Sequence, residues 1–187
     1  MKLPAIQGKN VLLRPLLMGD AKNFCLWLAD PEVTIFLNIH GEPPPTLSEE
    51  KKYIISTKKD LSKRQFSIVA SGVYIGTLAL SSISKKDGRA EFGIFIGNKK
   101  YWGQGCGTEA GKLLLHYAFH TLKLHRVYLS VIGYNVRAIK SYEKIGFKIE
   151  GRERQYFFRE GHYHDKIIMG ILKNELTFKS KKYGKRK

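Results

Sequence analysis

Three glycines, Gly103, Gly105 and Gly107, alternate along the chain between an apolar run and a strongly amphipathic one. No other stretch limits the fold as much. Glycine at every second position lets successive N–H groups turn into one concavity, and a helix starting directly behind adds the positive end of its dipole. The stretch therefore reads as an anion cradle, of the kind that holds a pyrophosphate, at a strand-to-helix junction. The strand ahead is RAEFGIFIG, 89–97. The helix behind carries apolar or small residues at 110, 113, 114, 117 and 118, the rhythm of one buried helical face.

Around this junction strands and helices follow one another. VLLRPL, 11–16, reads as a first strand, and Asp20 as the cap of a helix through Leu28 that stops at Asp30-Pro31. IHGEPPPT, 39–46, is a loop, because three consecutive prolines permit little else. Ser48 caps a mostly polar second helix, EEKKYIISTKKD. FSIVA (66–70) and YIGTLALSSI (74–83) flank a Ser-Gly turn, and Asp87-Gly88 is a hairpin signal leading into 89–97. RVYLSVIG, 126–133, is a buried type of strand. Asn135 to Ile145 is a helix with Ala138, Ile139, Tyr142 and Ile145 on one side and Gly146 as its stop. FKIEGRERQYFF and HYHDKIIMGIL are two last strands about an Arg159-Glu160-Gly161 turn. The expected class is α/β (α+β), a central, mostly antiparallel mixed sheet of about seven strands flanked by about four helices. One domain spans 1–178, and 179–187 is a basic tail.

At 187 residues and 43% apolar content the chain supports a single core of ordinary size. No apolar run nears the roughly 20 residues of a membrane span. The opening MKLPAIQGKN lacks the apolar stretch of a signal peptide, and two cysteines, Cys25 and Cys106, make no disulfide framework. These features predict a cytoplasmic protein with reduced thiols and no membrane partner. The formal charge of +17 stands out. Six cations in KSKKYGKRK, 179–187, carry part of it and leave about +11 on the body. Such a field attracts nucleotides, phosphorylated cofactors or RNA, although a lysine-rich tail also serves solubility alone.

Three kinds of glycine loop compete for 103–107. A P-loop ends in Gly-Lys-Ser/Thr, whereas Gly107 is followed by Thr108 and Glu109. A dinucleotide fingerprint is matched by Gly105, Gly107 and Ala110, but it belongs in an opening βαβ unit with an acid about 20 residues on. Here a long, largely antiparallel stretch precedes it, and the next strand ends in Val131-Ile132-Gly133-Tyr134 without an acid. The third kind fits more of the chain. Trp102-Gly103-Gln104-Gly105-Cys106-Gly107 resembles motif A of the GNAT N-acetyltransferases, Q/R-x-x-G-x-G/A, with Trp102 standing where the pattern has Gln or Arg. NVRAIKSYEKIGF is similar to the N-x-x-A-x-x-x-Y-x-x-x-G-F element of the same superfamily, on Asn135, Ala138, Tyr142, Gly146 and Phe147. VLLRPL, WLADPEV and GHYHDKIIMGIL resemble its ribosomal-protein-alanine N-acetyltransferase branch, the RimJ/RimL type.

The resemblance implies direct transfer of an acetyl group from acetyl-CoA to an amine. The cradle of Gly103, Gln104, Gly105, Cys106, Gly107 and Thr108 would hold the pyrophosphate through its N–H groups, with Cys106 incidental. Main-chain amides about Phe95 and Ile96 would polarise the thioester carbonyl. Glu91, on the same strand, is the expected base, its alternative being a surface partner for Arg89. Tyr142 is the expected acid toward the leaving thiolate, its alternative being a core aromatic. Asn135 both caps its helix and reaches the cofactor, and Ser141 is a further contact.

His162 and His164 with Asp165 lack the further ligands that a metal needs, so no metal is expected. By the resemblance, the acceptor site is lined by 38–46 and 152–165. The basic field disfavours polyamines, unless Glu42, Glu50, Glu153 and Glu160 build a negative pocket. The acceptor is then expected to be a protein N-terminal amine first, a small amine such as an amino sugar second, and a polyamine last. The basic surface admits ribosomal RNA as a partner and a homodimer as an assembly. The competing class is a non-catalytic GNAT-like module that binds RNA or ribosomes.

Overall fold

Eight strands build one sheet: β1 (Ile6–Gln7), β2 (Val11–Pro15), β3 (Arg64–Ala70), β4 (Val73–Ser84), β5 (Arg89–Ile96), β6 (Arg126–Ile132), β7 (Lys148–Arg159) and β8 (His162–Leu172). Their order is β1-β2-β3-β4-β5-β6-β8-β7 in the computed structural model, which describes residues 3–37 and 39–177. The basic tail, 179–187, lies outside the described residues. All neighbouring pairs are antiparallel except β5 and β6. A parallel pair needs a crossover, and the glycine loop with its helix supplies it.

Among the described residues five helices flank the sheet: α1 (Ala21–Leu28), α2 (Pro31–Thr34), α3 (Leu47–Lys59), α4 (Cys106–His116, extended by a wider π turn through Thr121) and α5 (Val136–Ile145). Strand alternation assigns the two faces. Phe66, Ile68, Leu78, Leu80, Ala90, Phe92, Val127 and Leu129 join the main core with α4 and α5. The intervening residues face the other way, where Leu16, Phe24, Ile54 and Tyr74 make a smaller core with α1 and α3. Three layers result, with the sheet in the middle.

Several local expectations shift. β1 and α2 are additional, and both are too short to show a period. Asp30-Pro31 stops α1 and also starts α2: Asp30 accepts from Glu32 N at 3.0 Å, with Pro31 in the first turn. Thr46, not Ser48, caps α3, and its reciprocal bonds with Glu49 form a capping box. Asp20 precedes α1 but makes no capping bond. Its carboxylate is instead held by Arg14 at 2.7 Å, by Leu17 N at 2.9 Å and by the Ser67 hydroxyl at 2.7 Å. A charged, planar guanidinium outcompetes the helix N-terminus for a buried carboxylate. That cluster ties β2, β3 and the start of α1 together.

Candidate active site

β5 and β6 pair only over Arg89–Glu91 and Arg126–Tyr128. Beyond Glu91 both strands continue, to Ile96 and Ile132, without pairing to each other. The sheet is therefore split at its centre, and a cavity of about 750 Å³ occupies the split. Its wall takes Phe95 and Ile96 from β5 and Ser130 to Ile132 from β6.

The glycine loop stands at one end of the split. Gly103 and Gly105 hold φ of +73° and +79°, left-handed values that side-chain-bearing residues avoid. A Cβ built at either meets open space, the room an anion needs to reach the first N–H groups of α4. Gly103, Gly105, Gly107 and Thr108 line the cavity, whereas Gln104 and Cys106 line a separate, smaller recess beside Asn10 and Glu109. Gln104 donates to Lys100 O at 2.6 Å, which fixes the loop from outside. Glu109 in the first turn of α4 accepts from Lys9 N, Asn10 N and Asn10 Nδ2. It suits the positive helix end and anchors the β1–β2 hairpin to it. Burial pushes the Cys106 thiol up, so it stays protonated and non-nucleophilic. These features fit a pyrophosphate held by backbone.

Trp102, which departs from the motif, has a structural use. Its indole N–H donates to Ile96 O at 2.7 Å and pins the loop to the end of β5. The Arg137 guanidinium stacks over its ring at 4.2 Å.

α5 forms the facing wall. Asn135 accepts from Ala138 N at 3.1 Å as the cap, and Gly146 ends the helix at φ +115°. The Ser141 and Thr108 hydroxyls bond each other at 2.9 Å and join α5 to α4. Tyr142 sits edge-on to Phe92, 6.1 Å between ring centres, and to Phe147 at 6.0 Å. Its hydroxyl has no hydrogen-bond partner among the described residues, and burial pushes the phenol up to about 12. Asn135, Ser141 and Tyr142 all line the cavity.

Glu91 lines it too, but from the opposite face of the sheet. Ala90 and Phe92 point into the core under α4 and α5, so Glu91, Gly93 and Phe95 point toward α1 and α3. Arg89 pairs with Asp87 and not with Glu91, which has no ion pair among the described residues. The split thus joins a cradle-and-tyrosine side to a glutamate side through the thickness of the sheet.

The glutamate side departs from expectation. Residues 39–46 do not line the cavity, and Asn38 lies outside the described residues; Val33, Ile35, Phe36 and Leu37 take their place. From the last hairpin only Phe157 and Arg159 contribute. None of Glu42, Glu50, Glu153 and Glu160 reaches it. Glu50 is buried, and Glu153 is bound by Lys166 at 3.0 Å. The floor is instead built from alternate residues of β3, β4 and β5: Gln65, Thr77, Ala79, Ser81 and Gly93 beside Glu91. Period two within each strand marks these positions, but only the register between strands brings them together. His162 is exposed and His164 packs on the Tyr134 ring at 4.3 Å; among the described residues no cluster of three or more metal-ligand side chains occurs. No helix among them is long and apolar enough to cross a membrane.

Comparison with known proteins agrees with this geometry. The pattern defining the acetyltransferase (GNAT) domain matches residues 10–148. The spermidine N(1)-acetyltransferase of Escherichia coli K12 is 36% identical over 175 residues, covering 94% of this chain and 92% of that protein. An uncharacterized N-acetyltransferase, p20, of Bacillus licheniformis is 32% identical over 179 residues, covering 92% and 98%. A putative ribosomal N-acetyltransferase of Bacillus subtilis, YdaF, is 31% identical over 116 residues, covering 62% and 63%. The crystal structure of spermidine N-acetyltransferase from Vibrio cholerae in complex with CoA and spermine superposes with a TM-score of 0.82 at 28% identity, over 90% of this chain and 99% of that one. A split mixed sheet, a glycine cradle at the start of α4 and a domain match across most of the chain have one explanation: this protein belongs to the GNAT acetyltransferases and is an acetyl-CoA-dependent N-acetyltransferase.

Proposed function

We propose that the chain transfers acetyl directly to the primary amine of a small molecule, with donor and acceptor bound together. The observation that carries this reading is the cavity through the split sheet, which has the cradle and Tyr142 on one face and Glu91 on the other. Acetyl-CoA, when bound, supplies an activated acetyl thioester. The residues do the rest. Gly103, Gly105, Gly107 and Thr108 hold the anionic end, and Asn135 and Ser141 flank the arm. Backbone amides near Phe95 and Ile96 face charge developing on the carbonyl oxygen, an effect worth roughly 2.7–4 kcal/mol where a single donor has been deleted. Glu91 takes the proton from the acceptor ammonium, directly or through water.

Tyr142 donates toward the departing sulfur. A phenol near 12 remains protonated at working pH, as a donor must. Raised by burial above the range of an alkyl thiol, the phenol would give its proton completely to a free thiolate only uphill, so its main effect is a hydrogen bond that strengthens as charge builds on sulfur.

The named spermidine acetyltransferases favour a small amine over a protein N-terminus. The RimJ/RimL-type alternative is supported by the partial match to YdaF and by the basic charge, which suits a substrate near ribosomal RNA. Thiol release with acetyl-CoA and a panel of amines and peptides tests the reading. Initial-rate lines that intersect when both substrates are varied support it. Parallel lines, or preference for peptide N-termini over every small amine, overturn it.

A further inference from the structure

The glutamate side of the cavity has an uneven charge. Glu91 is the one carboxylate on its wall among the described residues, whereas Lys63 and Arg159 both line it. Neither cation forms a salt bridge with a carboxylate among the described residues, and Lys63 only acts electrostatically on Asp60. Lys63 donates to the Tyr53 hydroxyl at 2.8 Å, and Arg159 donates to Phe158 O at 3.1 Å. Lys63 is held in place by a relay: Tyr53 donates to Gln65 Oε1 at 2.9 Å, Gln65 to Thr77 Oγ1 at 3.2 Å, and Thr77 to Phe66 O at 2.8 Å.

The strand register places this cation relative to the base. Arg64 pairs Leu80, and Ser81 pairs Glu91, so Lys63, one residue before Arg64, falls in the row of Ser81 and Glu91. Two strand spacings, about 10 Å, separate Lys63 from Glu91 across the floor. Arg159 approaches from the last hairpin. It acts electrostatically on Tyr134, whose ring packs on Phe36 at the edge of the same cavity. Glu160, also near Tyr134, is exposed and off the cavity wall.

The geometry points to an acceptor with an anionic group, carboxylate or phosphate, on the same molecule as the amine. The amine meets Glu91, and the anion meets Lys63 on the β3 side of it or Arg159 on the β7 side, according to the length of the acceptor. This inference rests on the acetyl-transfer reading and narrows it. A polyamine laid on this floor would put its second ammonium against one of these cations, and like charges brought together in a recognition site oppose binding strongly. An anion in that place forms charge-assisted hydrogen bonds instead. Lys63 and Arg159 are then specificity-determining residues.

Acceptors of matched length test this: linear primary alkylamines whose far end carries a carboxylate, a phosphonate, an ammonium or a methyl group, each made at several chain lengths. The readout is kcat/KM for wild type, Lys63→Gln, Arg159→Gln and the double variant. Within each protein the methyl-ended alkylamine is the reference, so a general loss of activity cancels in the ratio. Wild type is expected to favour an anionic acceptor over the diamine by tenfold or more at the best length. The two anion arms separate an amino-acid-like acceptor from a phosphorylated one. The single variant at the cation that the preferred length reaches, and the double variant, should cut that preference about tenfold through KM. A diamine used as well as the anionic acceptors, or a preference that survives the double variant, overturns the inference and leaves acetyl transfer intact. If no member of the series releases thiol, the small-amine reading itself falls, and this inference with it.

Discussion

At the scale of single residues, the sharpest expectation concerns Tyr142. Its ring is held by Phe92 and Phe147, so Tyr142→Phe keeps the packing and removes only the hydroxyl. Turnover should fall about 10²-fold while acetyl-CoA affinity, read by calorimetry, stays within twofold. Unchanged turnover would make the tyrosine a core aromatic. For Glu91→Gln, the acceptor must arrive already neutral, so the rate should climb with pH toward the acceptor's own pKa. A profile identical to wild type would leave Glu91 a strand residue without a chemical role. Asp20 gives a stability test. Burial opposes its ionisation, but Arg14, Leu17 N and Ser67 outweigh it and hold the carboxyl below its ordinary 3.8. A depressed folded value stabilises the fold above the unfolded value and loses that contribution as pH falls through the folded one. Asp20→Asn should therefore cost about 3 kcal/mol near neutrality, by stranding a partly buried Arg14. The deficit should shrink when melting is followed below pH 3.8. A gap that is constant with pH would contradict this account.

At the scale of elements, the glycine loop was readable because it is local. Left-handed φ at Gly103 and Gly105 is a backbone demand that few residues meet, and the amphipathic run behind it announces α4. The placement of Tyr142 and Asn135 was readable for the same reason, one lying on a short helix and the other capping it. The make-up of the floor on the glutamate side was not. Gln65, Thr77, Ser81 and Glu91 come from three strands, with Lys63 just ahead of the first, and only non-local pairing, including a bulge in β4 between Ser81 and Ser84, makes them neighbours. Asp20 shows the complementary failure, a good cap in sequence drawn off by a partner on β2. The loop itself invites a substitution. Gly105→Val forces a β-branched residue to φ +79° and fills the open space of the cradle. It should cost about 1–2 kcal/mol of stability, too little to unfold a domain of this size, and weaken acetyl-CoA more than tenfold.

At the scale of the whole molecule, the +17 charge is distributed unevenly in function. Arg137, Lys140 and Lys144 of α5 border the cavity beside the cradle, where a phosphorylated donor benefits from them. Lys63 and Arg159 border it on the glutamate side. The six cations of 179–187 lie outside the described residues. Deleting 179–187 should leave small-amine acetylation unchanged and weaken any RNA retention, with a shallower salt dependence. Lost acetylation would tie the tail to the site.

All of this depends on the split sheet and its cradle receiving acetyl-CoA. Calorimetric titration of the wild-type chain and Gly105→Val with acetyl-CoA, with NADH and ATP as controls, tests that most directly. The account predicts one-to-one binding selective for acetyl-CoA, and its loss in the folded variant. Absence of binding to the wild type, or equal binding by the variant, would contradict it.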